Sequence, residues 1–325
     1  MKIWGSVLGG YPRSRVARKA LRDSERGRAP YSAVEEVIYR ASIAVIGAQA
    51  SAGLDYVVDG MIDWHDIFRP FAEAWRNVTP TSLLRYFDNN FFYRIPHFID
   101  EPEPTRLVLA PRVSAFINYA EPSRLKVVVP GPVTFSRMSH NSSGLRPEEL
   151  AERIATLLAA EARAAAEAGA SMVQVDEPFL SDPDATRDDA VLASELVSRI
   201  ASEAGVPTVL AVYFGVPEPV VYEAMLDSRV EYLSLDVVDS PSRLLSLVSS
   251  KGWGGHKPVL GLVDSRRLID DFNLYTGLFH KVPKDGSDEV GVTTSTWLDL
   301  IPYDHSLKKT KRLGTLVERL RGETQ

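Results

Sequence analysis

The sequence predicts an α/β fold of the (β/α)8 TIM barrel class, and three observations carry that prediction. Eight short apolar runs begin near Lys2, Leu54, Leu125, Met172, Val206, Val230, Pro258 and Glu289, and each is followed by a stretch of helical character. Four of the runs end in an acid, at Asp59, Asp176, Asp236 and Asp264; in a barrel such strand ends converge on one rim. The length of 325 residues suits one large barrel. The alternative, a doubly wound open sheet, lacks its G-x-G-x-x-G fingerprint after the first run. We therefore expect residues 1–325 to form a single barrel domain, with an insertion at about 77–125 between strands 2 and 3.

In chain order, Lys2–Leu8 reads as a strand broken by Gly9 and Gly10, with a helix from about Arg15. Arg13, Arg15, Arg18, Lys19 and Arg22 make that helix start basic, which suits either an anion site or a solvated face. Residues 30–52 read as a helix, and Leu54–Val58 as the second strand, ending at Asp59. His65 follows Trp64, and a lone histidine beside a tryptophan is more often a packing residue than a ligand. The insertion holds an aromatic cluster, Arg85–Arg94, suited to stacking on a flat ligand or to forming its own small core. Alternation in Arg106–Leu109 and Val113–Tyr119 predicts short antiparallel strands there.

Leu125–Val129 is the third strand, stopped by Pro130-Gly131-Pro132. The Ala-rich stretch 146–168 is the clearest helix, with Pro147 at its first position and Gly169 after its end. Met172–Asp176 is then a buried strand, which Pro178 must stop because it has no N–H to donate. The remaining strands are Val206–Tyr213, Val230–Leu235, Pro258–Val263 and Glu289–Val292, separated by helices near 189–204, 218–226, 242–250 and 266–280. A last helix covers Leu307–Arg321.

Composition bounds the function. Hydrophobic content of 45% and charged content of 25% describe a soluble globular protein. A net charge of -6 gives no support to nucleic-acid binding. No apolar run reaches the roughly 18 residues needed to cross a bilayer, and the start carries no signal-peptide pattern, so a cytoplasmic protein is the expectation. With no cysteine, the chain has no thiolate nucleophile and no sulfur ligand for zinc. Carboxylates gathered on one rim repel unless cations, ammonium groups or arginines answer them. The site therefore receives an amino group, a metal or basic side chains. Asp176, with Glu177 beside it, is the leading candidate, because a carboxylate at a strand end accepts charge-assisted hydrogen bonds from an ammonium group.

Five motifs in order, G-G-Y-P-R at Gly9–Arg13, P-G-P-V-T-F at Pro130–Phe135, V-Q-V-D-E-P at Val173–Pro178, Y-F-G at Tyr213–Gly215 and G-L-V-D-S-R at Gly261–Arg266, resemble the cobalamin-independent methionine synthase family. That family has two similar barrels, the second of which transfers a methyl group from a methylated folate to homocysteine with zinc. The resemblance covers nearly all of the chain, but one barrel only. It places the zinc ligands of the catalytic barrel at Val212, Phe214, Asp236 and near Thr296, and its catalytic histidine at Arg266. Only Asp236 among these can ligate a metal, so the resemblance is closer to the N-terminal, zinc-free barrel, and zinc is not expected on this chain. It further implies folate contacts from the basic segment, with Arg18 at the family's arginine and Leu21 at its lysine, and a folate-contacting acid at Asp182. Gly9, Gly10 and Asp176 match positions that bind the amino acid.

The resulting expectation is a methyl-transfer component acting on a thiol such as homocysteine, with a methylated pterin or folate, or another methyl carrier, as donor. Asp176, Glu177 and Asp236 are the catalytic candidates. Gly9, Gly10, Arg13, Arg18, Asp59, Tyr213, Asp264 and Arg266 are the ligand-binding candidates, with Arg13 and Arg18 on an anionic tail. A separate zinc-bearing barrel is the expected partner. The alternatives are a non-catalytic binding subunit of such a barrel and an unrelated barrel lyase or hydrolase using the carboxylate rim.

Overall fold

The computed structural model describes residues 1–87, 89 and 91–324. In chain order the elements are β1 (Lys2–Ser6), α1 (Arg15–Glu25), α2 (Tyr31–Ser51), β2 (Tyr56–Val57), α3 (Arg69–Ala72), β3 (Trp75–Arg85), β4 (Phe92–Pro104) and α4 (Leu109–Ala120). There follow β5 (Arg124–Pro130), α5 (Pro132–Arg137), β6 (His140–Asn141), α6 (Pro147–Glu167), β7 (Met172–Asp176), α7 (Arg187–Ala204), β8 (Thr208–Val212) and α8 (Pro219–Met225). The chain ends with β9 (Tyr232–Asp236), α9 (Pro241–Lys251), β10 (Lys257–Val263), α10 (Phe272–Lys281), β11 (Glu289–Thr294) and α11 (Tyr303–Thr324).

Eight of these strands close a parallel barrel in the order β1-β11-β10-β9-β8-β7-β5-β2. Each of the eight apolar runs expected from the sequence supplies one of them. The strands β7, β8, β9 and β11 are buried along their whole length, because barrel side chains face inward and the helices cover the outside. The second strand is shorter than its apolar run. Gln49 on α2 explains where it stops: its side chain accepts from the Val58 amide (3.0 Å) and donates to the Val58 carbonyl (2.7 Å). The backbone polar groups are thus satisfied by an amide side chain instead of a ladder. At the other end, the Asp55 carboxylate accepts from the Gly5 amide (2.7 Å) and from Arg321 on α11 (2.6 Å).

The insertion lies between β2 and β5, as expected, but its hairpin is not at 106–119. Its antiparallel hairpin is β3–β4, extended by β6, which runs parallel to β4. The residues 113–119, read as a strand, lie in α4. Its buried Leu109, Val113, Phe116 and Ala120 follow helical spacing, which the apparent two-residue alternation concealed. Asp88 and Asn90, inside the aromatic stretch, lie outside the described residues. Helix α10 begins later than expected. Asp264 accepts from the amides of Arg266 (2.8 Å) and Arg267 (3.3 Å), turning the chain there, and Asp271 caps the helix by accepting from Leu274 (3.0 Å).

Closure brings the last helix against the second. A Cβ on Gly314 of α11 would stand 1.9 Å from the Ala52 carbonyl oxygen, a backbone atom with no rotamer to yield. Gly314→Ala should therefore destabilise the barrel by about 1–3 kcal/mol despite the better helix propensity of alanine. Urea unfolding should show a lower midpoint with an unchanged slope; an unchanged or higher midpoint would contradict this packing.

Candidate functional site

The C-terminal ends of the barrel strands form the mouth. Asp176, the last residue of β7, is fully buried there. Its Oδ1 accepts from Gln174 Nε2 (2.6 Å), and its Oδ2 accepts from the Tyr213 hydroxyl (2.9 Å) and from Trp297 Nε1 (2.9 Å). Desolvation pushes its carboxyl up to about 6, against the lowering effect of these three donors and of nearby Lys126. Gln174 is itself held: its Nε2 donates to the Leu8 carbonyl (2.8 Å), and its Oε1 accepts from Lys126 Nζ (2.7 Å). Lys126 lies inside the barrel and also donates to the Val7 carbonyl (2.8 Å). Burial brings its ammonium down to about 7. Lys126, Gln174 and Asp176 thus form one buried hydrogen-bonded line running from the barrel interior to the mouth.

Glu177 turns elsewhere. Its carboxylate accepts from the amides of Val133 (2.9 Å) and Thr134 (2.7 Å) and from the Thr134 hydroxyl (2.6 Å), at the start of α5. A Cβ on Gly131 would stand 2.0 Å from its Cδ, so the glycine makes room for the acid. Burial pushes Glu177 up to about 7. Its contacts brace the loop after β5.

Arginines of the chain answer two of the rim acids. Asp59 accepts from Arg112 Nε on α4 (2.6 Å). Asp236 accepts from Arg266 (3.1 Å), which also pairs with Asp239 (2.8 Å); burial pushes Asp236 up to about 7. Asp264 accepts the two turn amides already described and has Arg267 Nε at 3.6 Å. The repulsion expected of the rim is therefore relieved at Asp59 and Asp236 from within the chain.

Gly9 and Gly10 lie under Trp297. A Cβ on Gly9 would be 2.0 Å from the indole nitrogen, and one on Gly10 would be 2.6 Å from Cε3. The two glycines seat the indole so that it reaches Asp176. Trp297 was not singled out from the sequence. The legible signal was a glycine pair at one strand end and a large flat side chain beyond the last, but the two are remote in the chain. Lys126, a lone cation within an apolar strand, was a second unused signal.

Beside the mouth opens a cleft of about 380 Å3, lined in part by Arg13, Arg18, His65, Trp297 and Asp299. Arg13 donates to the carbonyls of Ile62 (2.8 Å) and Trp64 (2.7 Å), and burial lowers the pKa of its guanidinium. Arg18 is exposed along the same wall. Burial and the cations Arg13 and Arg69 depress His65 to about 4, so it is neutral near pH 7. Asp299 keeps some exposed surface, but its carboxyl is enclosed, and desolvation pushes it up to about 7. The aromatic cluster of the insertion folds over the mouth. Tyr86 packs edge-on against Phe214 at 5.8 Å between ring centroids, and Phe87 against Phe214 at 5.7 Å. Phe214 adopts φ 73°, a left-handed backbone that bulky residues seldom take.

The positions of a zinc set do not suit the metal. Val212 and Phe214 carry no donor atom, Thr296 offers only a hydroxyl that donates to the Trp297 carbonyl, and Asp236 is engaged by Arg266. Among the described residues there is no group of three or more His, Cys, Asp or Glu able to hold a metal ion.

Comparison with known proteins places the chain. The model of the cobalamin-independent synthase N-terminal domain matches residues 55–276. The methionine synthase of Sulfurisphaera tokodaii is 26% identical over 212 residues, a match spanning 65% of this chain and 61% of that protein. That of Sulfolobus acidocaldarius is 24% identical over 322 residues, covering 97% of this chain and 91% of that protein. Among solved structures, a B12-independent methionine synthase from Shewanella sp. W3-18-1, in complex with selenomethionine, superposes with a TM-score of 0.83 at 17% identity, covering 100% of this chain and 99% of that one. A methyltransferase from Methanosarcina mazei gives 0.63 at 14% identity, covering 97% and 94%. With two thirds of its length matched by the family model and this barrel beneath it, the chain belongs to the cobalamin-independent methionine synthase family.

Proposed function

We propose that the chain is a methionine-synthase-like barrel that binds an amine-bearing sulfur amino acid at Asp176 and takes part in methyl transfer to a thiol such as homocysteine. The observation that carries this reading is Asp176 itself: a buried carboxylate at the C-terminal end of β7 whose hydrogen-bond donors among the described residues are the neutral Gln174, Tyr213 and Trp297, in a member of this family. Arg13 and Arg18, on the adjoining cleft, suit the anionic end of a donor such as a methylated pterin or folate, or of another methyl carrier. A thiol attacks well only as a thiolate, which zinc ligation supplies at neutral pH. This chain lacks that ligand set, so the reading includes a separate zinc-bearing barrel as partner and a cytoplasmic setting. The second reading, a non-catalytic subunit of such a barrel, is favoured by one feature: both oxygens of Asp176 are already satisfied by Gln174, Tyr213 and Trp297.

Four measurements test this. Titration calorimetry should show binding of homocysteine or methionine, weakened in Asp176→Asn by about 1.5–3 kcal/mol, the scale of a hydrogen bond to a charged group. Unchanged binding would remove Asp176 from the site. The pH profile follows from the sign of the shift. The carboxylate must be ionised to hold an ammonium, and burial raises it to about 6. Affinity should therefore fall as pH drops through about 6, well above the usual aspartate value near ~3.9, and Asp176→Asn should abolish that step. Finally, methyl transfer to homocysteine should appear, or rise strongly, when a zinc-bearing single-barrel homologue is added. The chain itself should carry no stoichiometric zinc after dialysis. One tightly held zinc per chain, or full activity of the zinc barrel with no response to this protein and no complex on a sizing column, would overturn the partner arrangement.

A further inference from the structure

Between the barrel mouth and the hairpin lies a chamber of about 20 Å3, walled by Tyr86, Phe91, Tyr213, Phe214 and Trp297, with Asp299 at its edge. A void needs roughly 10–15 Å3 to hold one water, so this one takes a single methyl-sized group. Phe91, Trp297 and Asp299 also line the 380 Å3 cleft that carries Arg13 and Arg18, so the two spaces share a wall. We propose that this aromatic chamber binds the methylated head of a small onium cation, a sulfonium or quaternary ammonium bearing a carboxylate, with one methyl in the chamber and the carboxylate toward Arg13 and Arg18.

Four features favour a permanent cation over a neutral methyl group or a primary amine. Ring faces attract cations, and desolvation strengthens the attraction. Tyr213 and Trp297 both donate to the Asp176 carboxylate, which polarises their rings toward greater electron density. Asp299 lines the chamber and Asp176 lies behind Tyr213 and Trp297, so two carboxyls adjoin the aromatic wall, both raised by desolvation. Tyr86 is 4% exposed, and its hydroxyl lies beside that of Tyr213, which Asp176 already engages. A primary ammonium needs three acceptors, and this wall offers few. A methylated onium has no N–H to satisfy, and its polarised C–H groups suit the ring faces of the wall. The charged carboxylate of the ligand would lie where the cleft holds its two arginines. As an assignment of the methyl donor's class, this inference rests on the methyl-transfer reading above.

The test compares charge at constant shape. Glycine betaine and its uncharged isostere 3,3-dimethylbutyrate differ at the head by one positive charge; S-methylmethionine and methionine make the matching sulfonium pair. Calorimetry and intrinsic tryptophan fluorescence at pH 7.5 should show at least one onium binding roughly tenfold or more tighter than its neutral counterpart. The pair that shows it separates the sulfonium from the ammonium class. Phe91→Leu, which keeps an apolar wall and removes a ring, should erase most of that preference and leave the neutral ligand's affinity within about twofold. Phe91 is only part-buried, and thermal unfolding will verify the variant's fold. Equal affinity for charged and neutral partners, no saturation by either onium, or an undiminished preference in Phe91→Leu overturns the proposal. Methionine binding that persists while onium binding is absent sinks this inference alone, and leaves the amino acid site at Asp176 standing.

Discussion

A carboxylate buried at the end of a barrel strand carries a desolvation penalty of several kcal/mol unless it is answered by hydrogen bonds or charge. Asp176 is answered by three donors, each worth about 1.5–3 kcal/mol to a charged acceptor. These donors come from β7 itself, from the end of β8 and from the loop after β11, and they set the shape of the mouth. Gln174 is fixed because Lys126 and the Leu8 carbonyl hold its amide. Trp297 is fixed because Gly9 and Gly10 leave room for its ring. Tyr213 is followed by Phe214 in a left-handed backbone, a conformation costing of order 1–3 kcal/mol that the surrounding packing must impose. The strain coincides with the point where the barrel end meets the aromatic insertion.

Much of the fold was legible because a parallel barrel writes each strand as an apolar run with a breaker behind it. That pattern is local, and all eight barrel strands follow it. The insertion was misread because Val113 and Phe116 lie on one helix face within a stretch that also fits a two-residue period. Periodicity over so few residues does not discriminate between the two. The start of α10 was misplaced because Asp264 turns the chain after β10 and Asp271, read as inside the helix, caps it.

The site was legible to a lesser degree, for a physical reason. Strand-end acids can be named from sequence, but their partners come from remote segments. Asp59 is answered by Arg112 on α4, and Asp236 by Arg266 after β10. Glu177, adjacent to Asp176 in sequence, faces the start of α5, because successive strand residues point to opposite sides. A rim that looked like four equivalent acids is thus differentiated by what each one meets.

That differentiation has a consequence for the chemistry the mouth can support. Where an arginine neutralises a rim acid, an incoming cation gains little and must displace a strong pair. At Asp176 the donors are neutral groups, so the negative charge is stabilised yet not cancelled, and Lys126 lies one side chain further in, beyond Gln174. Asp299 differs: desolvation raises it to about 7, opposed by the charge of Arg13, whose Nε and one terminal nitrogen donate to backbone carbonyls. Carboxyls thus adjoin the aromatic side of the mouth, and Arg13 and Arg18 line the cleft beside it. A dipolar ligand with its cationic end at the aromatic side and its anionic end at the arginines would be oriented by charge. Val212, Phe214, Asp236 and Thr296 supply no thiolate-generating ligand set, so under the proposed function this orientation is what the chain's own residues would contribute. Under the proposed methyl transfer, holding a ligand by its charge pattern would fix where the reacting carbon sits.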